Sequence, residues 1–574
     1  MRNGGGWAIL ESARVGGVFA ALHLPLRQRR SLVAVPSRTL NTRRPLLLRL
    51  LRASAMAASP PPPVDVKDRI ELNDKEHRIF DRLLQVVRHY NLQTQLRVAG
   101  GWVRDKLLGK ECDDIDIALD NMLGREFCDK ITDYLSSTGE VTKVAAVILS
   151  NPDQSKHLET ARMRLDDIWI DFVNLRAEDY SQNSRIPTMR FGTAEEDAYR
   201  RDLTINSLFY NITTSQVEDF TGRGIIDLKY GKIVTPLPPK ETFLDDPLRV
   251  LRAIRFAARF GFTLDQELKI AAASAEVKAA IAGKISRERV GHEVDLMVSG
   301  NEPVKAMTYI CDLSLFFVVF SLPQNFEVIE GLDRRCILNM DAIAKLLRLL
   351  DRDVISDGER RLTFYAALLL PLQKLTYIAS KSKEIPLVDF IFRVSLKLKM
   401  DDAKAVIMIH NAAQKFVALI PYFTSAKDVN TMEVDWEKGL IDIPVASKLR
   451  VYAGLLLDEI KGLWQISLLV STLLYPNSLD AADEKSDISE RKELFTTVKN
   501  EIVKLGLEEV GLGNLKPLVD GMSIMSALGL SSPSSVVGEW KRKVRQWQLA
   551  YPLGTKEECI DWIKESHSKR LRTE

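Results

Sequence analysis

Two patterns of apolar and polar positions divide the chain. Between residues 70 and 235, short segments in which apolar and polar positions alternate predict strands, with few helices between them. From 236 onward, most segments have the helical period and are rich in Leu, Ala, Lys and Glu. The pattern predicts an α+β fold, in which an N-terminal head with a small mixed β-sheet is followed by helices alone. In the head, it predicts strands ending at 99, near 113–119, and over 141–150, 158–165 and 168–175, and helices over 72–90, from about 102, and over 124–135.

A glycine pair and an acid pair lie at the first two predicted strands. Gly100 and Gly101 lack a Cβ, so the backbone can turn sharply and present amide N–H groups to a bulky anion such as phosphate where a helix begins. Asp114 and Asp116 are two residues apart, so they share one face of a strand while the isoleucines beside them enter the core. Two such carboxylates are suitable ligands for Mg²⁺. An isolated Asp-x-Asp motif usually lies on a solvated loop. The combination of this acid pair with the glycine turn upstream predicts nucleotidyl transfer.

A third acid, Asp171, lies among apolar residues of the predicted strand 168–175. An unpaired carboxylate is costly to bury, so Asp171 needs a metal ion or a cation nearby. One hypothesis makes Asp171 a third catalytic carboxylate beside the acid pair. The alternative is a strand-edge acid that is paired with Arg162 or Arg176.

Polar residues cluster at 200–206, directly before an apolar stretch. Arg201 and its neighbours could bind triphosphate oxygens through their guanidinium forks, and Asn206 could fix a ribose hydroxyl. The alternative is a helix start that is only capped and solvated.

An arginine stripe follows on the next predicted helix. Asp246 caps this helix, Pro247 lies in its first turn, and spacings of three, three and four place four arginines on one face, namely Arg249, Arg252, Arg255 and Arg259. A solvated face usually mixes the signs of its charges. Four arginines without an acid among them therefore predict an anionic partner, and a merely solvated face is the alternative.

Composition limits the class of protein. With 574 residues, 46% of them apolar and 27% charged, the chain can form several domains with apolar cores. No apolar run reaches the roughly 18 residues that a membrane span needs, so no membrane segment is predicted. The five cysteines are scattered and odd in number, which indicates a reducing compartment and no structural zinc.

The first 56 residues are predicted to be a leader. Residues 1–55 contain ten arginines, no lysine and one acid, a composition that resembles an organelle transit peptide; a basic RNA-binding arm is the alternative. Met56 offers a second start. We therefore expect a long form in the mitochondrion or plastid, and a shorter form in the cytoplasm and nucleus. Without 1–55 the chain has 70 basic and 76 acidic residues, a net charge of −6 instead of +3, so RNA binding must depend on local patches.

Together, these motifs resemble the class II tRNA nucleotidyltransferases, the CCA-adding enzymes of the polymerase β nucleotidyltransferase superfamily. The resemblance covers about 96–300, and four motifs occur in the family's order: Gly100-Gly101 with Arg104-Asp105 and Asp114-x-Asp116; Arg200-Arg201-Asp202-Leu-Thr-Ile-Asn206; Asp219-Phe-Thr-Gly222 with Ile226-Asp227; and Ser286-Arg287-Glu288-Arg289. It implies a leader at 1–56, a catalytic head at 70–235, a helical neck at 236–300, a helical body at 301–478 and a helical tail at 490–574.

The resemblance also implies an activity. This is template-independent addition of CCA to the 3′ end of tRNA from CTP and ATP, with two Mg²⁺ ions held by Asp114 and Asp116 and pyrophosphate released. The implied nucleotide-binding residues are Gly100, Gly101, Arg104, Arg201, Asp202, Asn206, Asp246, Arg249, Arg252 and Arg255. A poly(A) polymerase of the same superfamily is the alternative. A non-catalytic RNA-binding protein is a more distant one, which the two intact aspartates disfavour.

One motif departs from the family pattern. The family usually has Glu-Asp-x-x-Arg where this chain has Asp245-Asp246-Pro-Leu-Arg249, but the two residues credited with reading the base are intact. A carboxylate accepts from the exocyclic amino group of cytosine or adenine, and a guanidinium donates to the adjacent ring nitrogen. Uracil and guanine place a carbonyl where that amino group would be. Asp246 and Arg249 therefore predict a choice of C and A.

The tail resembles the family less closely. Its segment from Val519 to Gln548, with Trp540, Trp547 and several basic residues, is similar to the family's C-terminal segment that grips tRNA. The alternative is an amphipathic helix that packs within the tail.

Overall fold

In the computed structural model of the chain, strands of the head form one mixed sheet. The structure describes residues 64–139, 146–148, 160–179, 188–324, 326–350, 355–378, 383–437, 439–475, 484–532 and 534–573. The predicted leader lies outside these residues, as does most of the predicted strand at 141–150. Within them, the head has strands β1 Leu96–Ala99, β2 Ile115–Leu119, β3 Ala146–Ile148, β4 Thr160–Leu165, β5 Ile168–Asn174, β6 Arg176–Asp179, β7 Thr188–Phe191, β8 Phe209–Asn211 and β9 Gln216–Glu218. Its helices are α1 Asp74–His89, α2 Gly101–Leu107, α3 Gly124–Ser137, α4 Ala194–Tyr199 and α5 Gly224–Lys229.

The order of the strands places the acid pair near the middle of the sheet. The order is β3-β4-β5-β2-β1-β8-β9, and β6 pairs with β7 in a separate ribbon. Strands β2 and β5 are parallel, with Asp116 level with Asp171, whereas β2 and β1, and β5 and β4, are antiparallel. This confirms the predicted α+β fold and the mixed sheet.

The two faces of the sheet differ in polarity. Ile115 and Ile117 of β2 and Ile170 of β5 are fully buried in the apolar core, where α3 packs on β4 and β5. Asp114, just before β2, is exposed and Asp116 is only partly buried. The alternation predicted from sequence therefore turns the isoleucines into the core and leaves the carboxylates on the open face.

The rest of the chain is mainly helical, as predicted. Its helices are α6 Pro239–Asp245, α7 Leu248–Phe260, α8 Gln266–Ala272, α9 Ala275–Lys284, α10 Arg287–Ser299, α11 Pro303–Asp312, α12 Phe316–Val319, α13 Leu332–Leu349, α14 Asp357–Leu369, α15 Leu387–Phe390, α16 Met400–Phe423, α17 Lys448–Ile460, α18 Trp464–Ser471, α19 Glu484–Lys504, α20 Glu508–Gly511, α21 Gly521–Ala527, α22 Ser535–Ala550 and α23 Lys556–Thr573. Two short pairs correct the expectation of helices alone: β10 Lys232–Ile233 with β11 Thr263–Leu264, and β12 Thr376–Ile378 with β13 Glu384–Pro386.

Helix α10 joins the neck to the body. A Cβ at Gly291 would lie 1.7 Å from the backbone oxygen of Leu396, so the helix lies very close to the backbone of the body there. One turn later, Asp295 accepts from Arg361 at 2.6 Å and from the Tyr365 hydroxyl at 3.0 Å, both on α14. Close backbone contact and a charged network therefore hold α10 against the body.

Helix α16 is a core helix of the body. By length and composition it could cross a bilayer, and it is the one such helix within the described residues. In this fold it packs against α17 and α18, and Ile409, Ala413 and Phe416 are fully buried. Its apolar surface is thus used inside the protein.

Candidate active site

A cavity of about 680 Å³ lies between the open face of the head and helix α7. Most of the residues selected from sequence line it, namely Gly100, Gly101, Arg104, Asp114, Asp116, Arg201, Asp202, Asn206, Asp246, Arg249 and Arg252. Asp171 and Arg255 are not among its lining residues. The fold therefore brings together segments from Gly100 to Arg252 that are far apart in sequence.

The glycine turn forms one wall. Gly100 has φ +73°, a conformation that favours glycine, and a Cβ there would lie 2.7 Å from Nη1 of Arg201. The same guanidinium nitrogen donates to the backbone oxygen of Asn206, and Arg201 also pairs with Asp197 at 2.8 Å. The missing side chain of Gly100 thus makes room for a positively charged group at the cavity.

The acid pair lies on β2, the strand next to β1 and its glycine turn. Burial, reinforced by the negative charge of Asp114, raises the pKa of Asp116 to about 6. Two carboxylates on one face repel each other, and a cation between them would relieve the repulsion. Mg²⁺ is commonly bound through one or two carboxylates together with substrate phosphates and water. No group of three or more His, Cys, Asp or Glu side chains in the described part of the chain is arranged to hold a metal ion. Asp114 and Asp116 fit a site in which two protein carboxylates bind the ion together with substrate phosphates and water.

Asp171 lies level with Asp116 but has its own partner. Its Oδ1 is 3.0 Å from Nε of Arg162 on β4, which is one of the two ion pairs considered from sequence. Burial raises the pKa of Asp171, with Arg162 opposing this effect and Asp114 adding to it. The structure therefore places Asp171 beside the acid pair and engages it with Arg162. Its role as a third catalytic acid stays a prediction.

A buried polar network supports the floor of the cavity. Asn206 donates to Asp202 at 3.0 Å and accepts from Arg104, while Arg252 donates to Asp202 at 2.7 Å. Burial alone would raise the pKa of Asp202, but Arg252 and Asn206 outweigh it and lower the pKa to about 2. Asp202 is consequently ionised and holds two of the nucleotide-binding candidates in place.

The arginine stripe of α7 is paired with acids from other elements. Arg252 pairs with Asp202 at 2.7 Å, and Arg259 lies 3.6 Å from Asp105. Arg255 pairs with Glu293 of α10 at 2.6 Å, away from the cavity lining. Arg255 is thus engaged by Glu293, 38 residues further along the chain, and its role in binding nucleotide stays a prediction.

The base-reading candidates lie side by side at the start of α7. Asp246 accepts from Leu248 N–H at 3.2 Å and pairs with Arg289 of α10 at 3.1 Å. Arg249 is buried and donates to the backbone oxygen of Arg200 at 2.7 Å. Both side chains are oriented by protein groups, and both line the cavity.

Several lining residues were not selected as site residues from sequence. They include Arg176, Arg200, Arg259 and Arg289, and also Phe256. Arg200, Arg259 and Arg289 all lie in motifs singled out above, so their proximity to those motifs was the available signal. Arg176 follows the β5 strand directly and had been considered only as a partner for Asp171.

In the tail, the two tryptophans of α22 belong to the core. Trp540 is 1% exposed and Trp547 is 6% exposed, and both pack in an apolar cluster with Ile563 and Cys559 of α23. The basic residue Arg545 between them pairs with Asp458 of the body at 3.0 Å. The two tryptophans therefore pack within the tail, which was the alternative to a tRNA-binding role.

Comparison with known proteins defines the class and then the family. Residues 96–234 match the family described as the poly A polymerase head domain, so the head is that of a nucleotidyltransferase. The mitochondrial CCA tRNA nucleotidyltransferases of Candida glabrata and Saccharomyces cerevisiae are each 34% identical to this chain; the matches cover 86% and 82% of the chain, and 96% and 87% of the two relatives. The crystal structure of the Bacillus stearothermophilus CCA-adding enzyme in complex with CTP shares the fold, with TM-score 0.55 at 16% identity, over 88% of this chain and all of that one.

The chain therefore belongs to the CCA tRNA nucleotidyltransferases.

Proposed function

We propose that this enzyme adds C, C and A to the 3′ end of tRNA from CTP and ATP, and releases pyrophosphate at each addition. The observation that carries the proposal is the single cavity in which the acid pair, Arg201 and the pair Asp246 and Arg249 meet. The relatives named above are CCA tRNA nucleotidyltransferases, which supports tRNA as the acceptor. The likeness to a CCA-adding enzyme that was solved with CTP supports the donor.

Asp114 and Asp116 would hold two Mg²⁺ ions. When bound, such ions would lower the pKa of the attacking 3′-hydroxyl and stabilise the leaving pyrophosphate. The chain's own groups bind and orient the nucleotide. The guanidinium of Arg201 is directed to the triphosphate, and Asn206 to the ribose, while Asp202 fixes Asn206.

Asp246 and Arg249 would select the base. Arg289 and the Leu248 amide hold the carboxylate of Asp246 in one orientation before the base binds. Asp246 can then accept from the amino group of cytosine or adenine without a rearrangement. Arg249 is oriented by its hydrogen bond to the backbone oxygen of Arg200, and its guanidinium would donate to the adjacent ring nitrogen. For uracil or guanine, a carbonyl oxygen would face the carboxylate.

The test is incorporation on tRNA that lacks its three 3′-terminal nucleotides. The wild-type enzyme with CTP and ATP should add three nucleotides and stop. Asp114→Asn and Asp116→Asn should each lower incorporation by about a thousandfold, or about 4 kcal/mol, and leave tRNA affinity within about twofold. Asp113→Asn, an exposed neighbour outside the cavity, is the matched control and should resemble wild type. Unchanged incorporation by Asp116→Asn would refute the metal assignment.

The same assay separates the second candidate. The family that residues 96–234 match is described as the poly A polymerase head domain. An enzyme that adds only A is therefore the second candidate. A ladder of A residues from ATP alone, with no dependence on CTP, would favour it.

The leader directs the long form to mitochondria in our proposal. The basic composition of 1–55 and the mitochondrial relatives support this, and translation from Met56 would yield the form for the cytoplasm and nucleus. Fluorescent fusions of residues 1–574 and 56–574 should therefore differ in location. Identical distributions would contradict the proposal.

A further inference from the structure

The open face of the head sheet continues beyond the acid pair on β4 and β5. Its outward residues there include Arg162, Arg164 and Trp169, which we call the β4–β5 face, and Asp171 lies on the same side. Arg162 is level with Asp171, and Arg164 is level with Trp169. Asp171 is in turn level with Asp116, so the β4–β5 face is continuous with the catalytic acids.

Trp169 lies directly across from Asp114. The two residues each precede the paired residues Ile115 and Ile170 of the parallel strands β2 and β5. Neighbouring strands are about 4.8 Å apart, so the indole stands next to the first acid of the pair. It is 44% exposed although it is a large aromatic residue on a strand.

Arginines accompany this exposed ring. The guanidinium carbon of Arg162 lies 5.5 Å from the centre of the Trp169 ring, and Arg162 and Arg164 are each about two-fifths exposed. Exposed aromatic rings near arginines are used to bind single-stranded nucleic acid, because bases stack on the ring and phosphates pair with the guanidinium groups.

The geometry of the reaction points to the same side of the sheet. The candidates for triphosphate binding lie on the β1 and β8 side of β2, since Gly100 follows β1 and Arg201 and Asn206 precede β8. In phosphoryl transfer, the attacking and leaving oxygens are roughly in line. The pyrophosphate leaves towards β1 and β8, so the attacking 3′-hydroxyl must arrive from the side of β5 and β4.

We propose that the β4–β5 face binds the 3′-terminal nucleotides of the RNA acceptor, with the last unpaired base stacked on Trp169 and its phosphates paired with Arg162 and Arg164. This inference rests on the proposed function and adds a binding site for the acceptor strand to it. Trp169 and Arg164 then position the terminal ribose beside Asp114 and Asp116 and take no part in binding the nucleotide.

The test measures kcat, the KM for tRNA that lacks its terminal nucleotides, and the KM for CTP. Trp169→Ala should raise the KM for tRNA about tenfold and leave the KM for CTP unchanged, and Trp169→Phe should restore most of the affinity because it keeps a stacking ring. Tyr230→Ala is the matched control, since Tyr230 directly follows α5, is 63% exposed, and lies outside both the cavity and the β4–β5 face. Thermal unfolding midpoints check that each variant is folded.

A second pair of variants tests the phosphate contact. Arg164 lies 3.3 Å from Asp167, so Arg164→Ala removes both a positive charge and this ion pair, whereas Asp167→Ala removes the ion pair and keeps the positive charge of Arg164. Arg164→Ala should raise the KM for tRNA and make it less sensitive to salt, because one phosphate contact is lost. Asp167→Ala should not raise it.

The outcomes separate this inference from the proposed function. If wild type adds CCA while Trp169→Ala and Arg164→Ala behave like Tyr230→Ala, the β4–β5 face does not bind the acceptor and the inference is refuted alone. If wild type adds nothing to tRNA, the proposed function fails first. A rise in the KM for CTP with an unchanged KM for tRNA would assign the face to the nucleotide instead.

Discussion

At the scale of single residues, the charges of the cavity are arranged before any substrate binds. Asp202 is held ionised by Arg252 and Asn206, and Asp246 is held by Arg289. The acid pair is the exception, because burial and the negative charge of Asp114 raise the pKa of Asp116 to about 6. Most charges of the cavity are thus compensated within the protein, whereas the acid pair would gain from a cation.

The two glycines of the turn should respond differently to alanine. At Gly100, alanine would adopt φ +73° and meet the Arg201 guanidinium, at a cost of about 1–3 kcal/mol in backbone strain alone. At Gly101, the added Cβ would meet only Nη2 of Arg104 at an ordinary 3.6 Å. We expect Gly100→Ala to lower kcat/KM for CTP at least about tenfold and Gly101→Ala to retain most of it, measured by single-nucleotide addition. Equal losses would show that the turn itself, and not Arg201, is limiting.

His410 should make stability depend on pH. Burial lowers its pKa to about 4, and its Nε2–H donates to the backbone oxygen of Ala366. The unfolded chain takes up a proton near pH 6.5 while the folded chain does not, so stability is fully present above about pH 6.5 and falls between there and pH 4, by about 3 kcal/mol. Urea unfolding of wild type and His410→Gln at pH 7 and 4.5 measures this. The variant should lose less stability than wild type on acidification. Equal losses would show that His410 is not the source of the pH dependence.

At the scale of elements, α10 connects the cavity to the body. Its first turn supplies Arg289 to Asp246, its middle supplies Glu293 to Arg255, and its end supplies Asp295 to Arg361. One helix therefore contacts the base-reading residue Asp246, the arginine stripe of α7 and the body. Its close contact at Gly291 is what permits this position.

Two helical glycines provide a matched comparison. Gly291→Ala would force a Cβ to within 1.7 Å of the Leu396 backbone oxygen, so α10 must move, and we expect a loss of at least about 3 kcal/mol in the free energy of unfolding. Gly283 lies on α9 with nothing within 4 Å of an added Cβ. Gly283→Ala should stabilise the protein by about 0.5–1 kcal/mol through helix propensity. Chemical denaturation of both variants gives the comparison, and a neutral Gly291→Ala would show that the contact can relax.

Local patterns predicted elements better than they predicted partners. The alternation around Asp114 and Asp116 and the helical period of α3 are properties of neighbouring residues, and both were recovered from sequence. The partners of α7 were not, because Asp202 and Glu293 lie on other elements and only the fold brings them to the helix. The partner of Arg255 was missed for the same reason, because its own helix has no acid among the arginines and Glu293 lies on another helix. The sequence did not decide whether Trp540 and Trp547 bind RNA or pack in the tail, because the residues of a buried helix face and of a binding face have the same spacing.

At the scale of the whole molecule, the charge is uneven along the chain. Residues 1–55 hold ten of the 80 basic residues, and the remainder is net acidic. An acidic protein can bind RNA only where positive charge is locally concentrated, as at the cavity and the β4–β5 face.

Removal of the leader should therefore leave RNA binding intact. Residues 56–574 should have the same kcat, and a KM for tRNA within about twofold of the full chain, at several salt concentrations. Steady-state kinetics on the two proteins measures this. A KM that rises several-fold on removal of the leader would instead identify residues 1–55 as a basic RNA-binding arm.

The alternation in β2 also has a consequence at the level of the gene. Because successive side chains of β2 point to opposite faces, deletion of one codon between 115 and 119, without a shift of the reading frame, would move part of the strand by one position. Such a deletion would turn isoleucines towards the cavity or a carboxylate towards the apolar core. We expect single-codon deletions there to be as damaging as loss of the gene, while conservative missense changes such as Ile117→Val are tolerated.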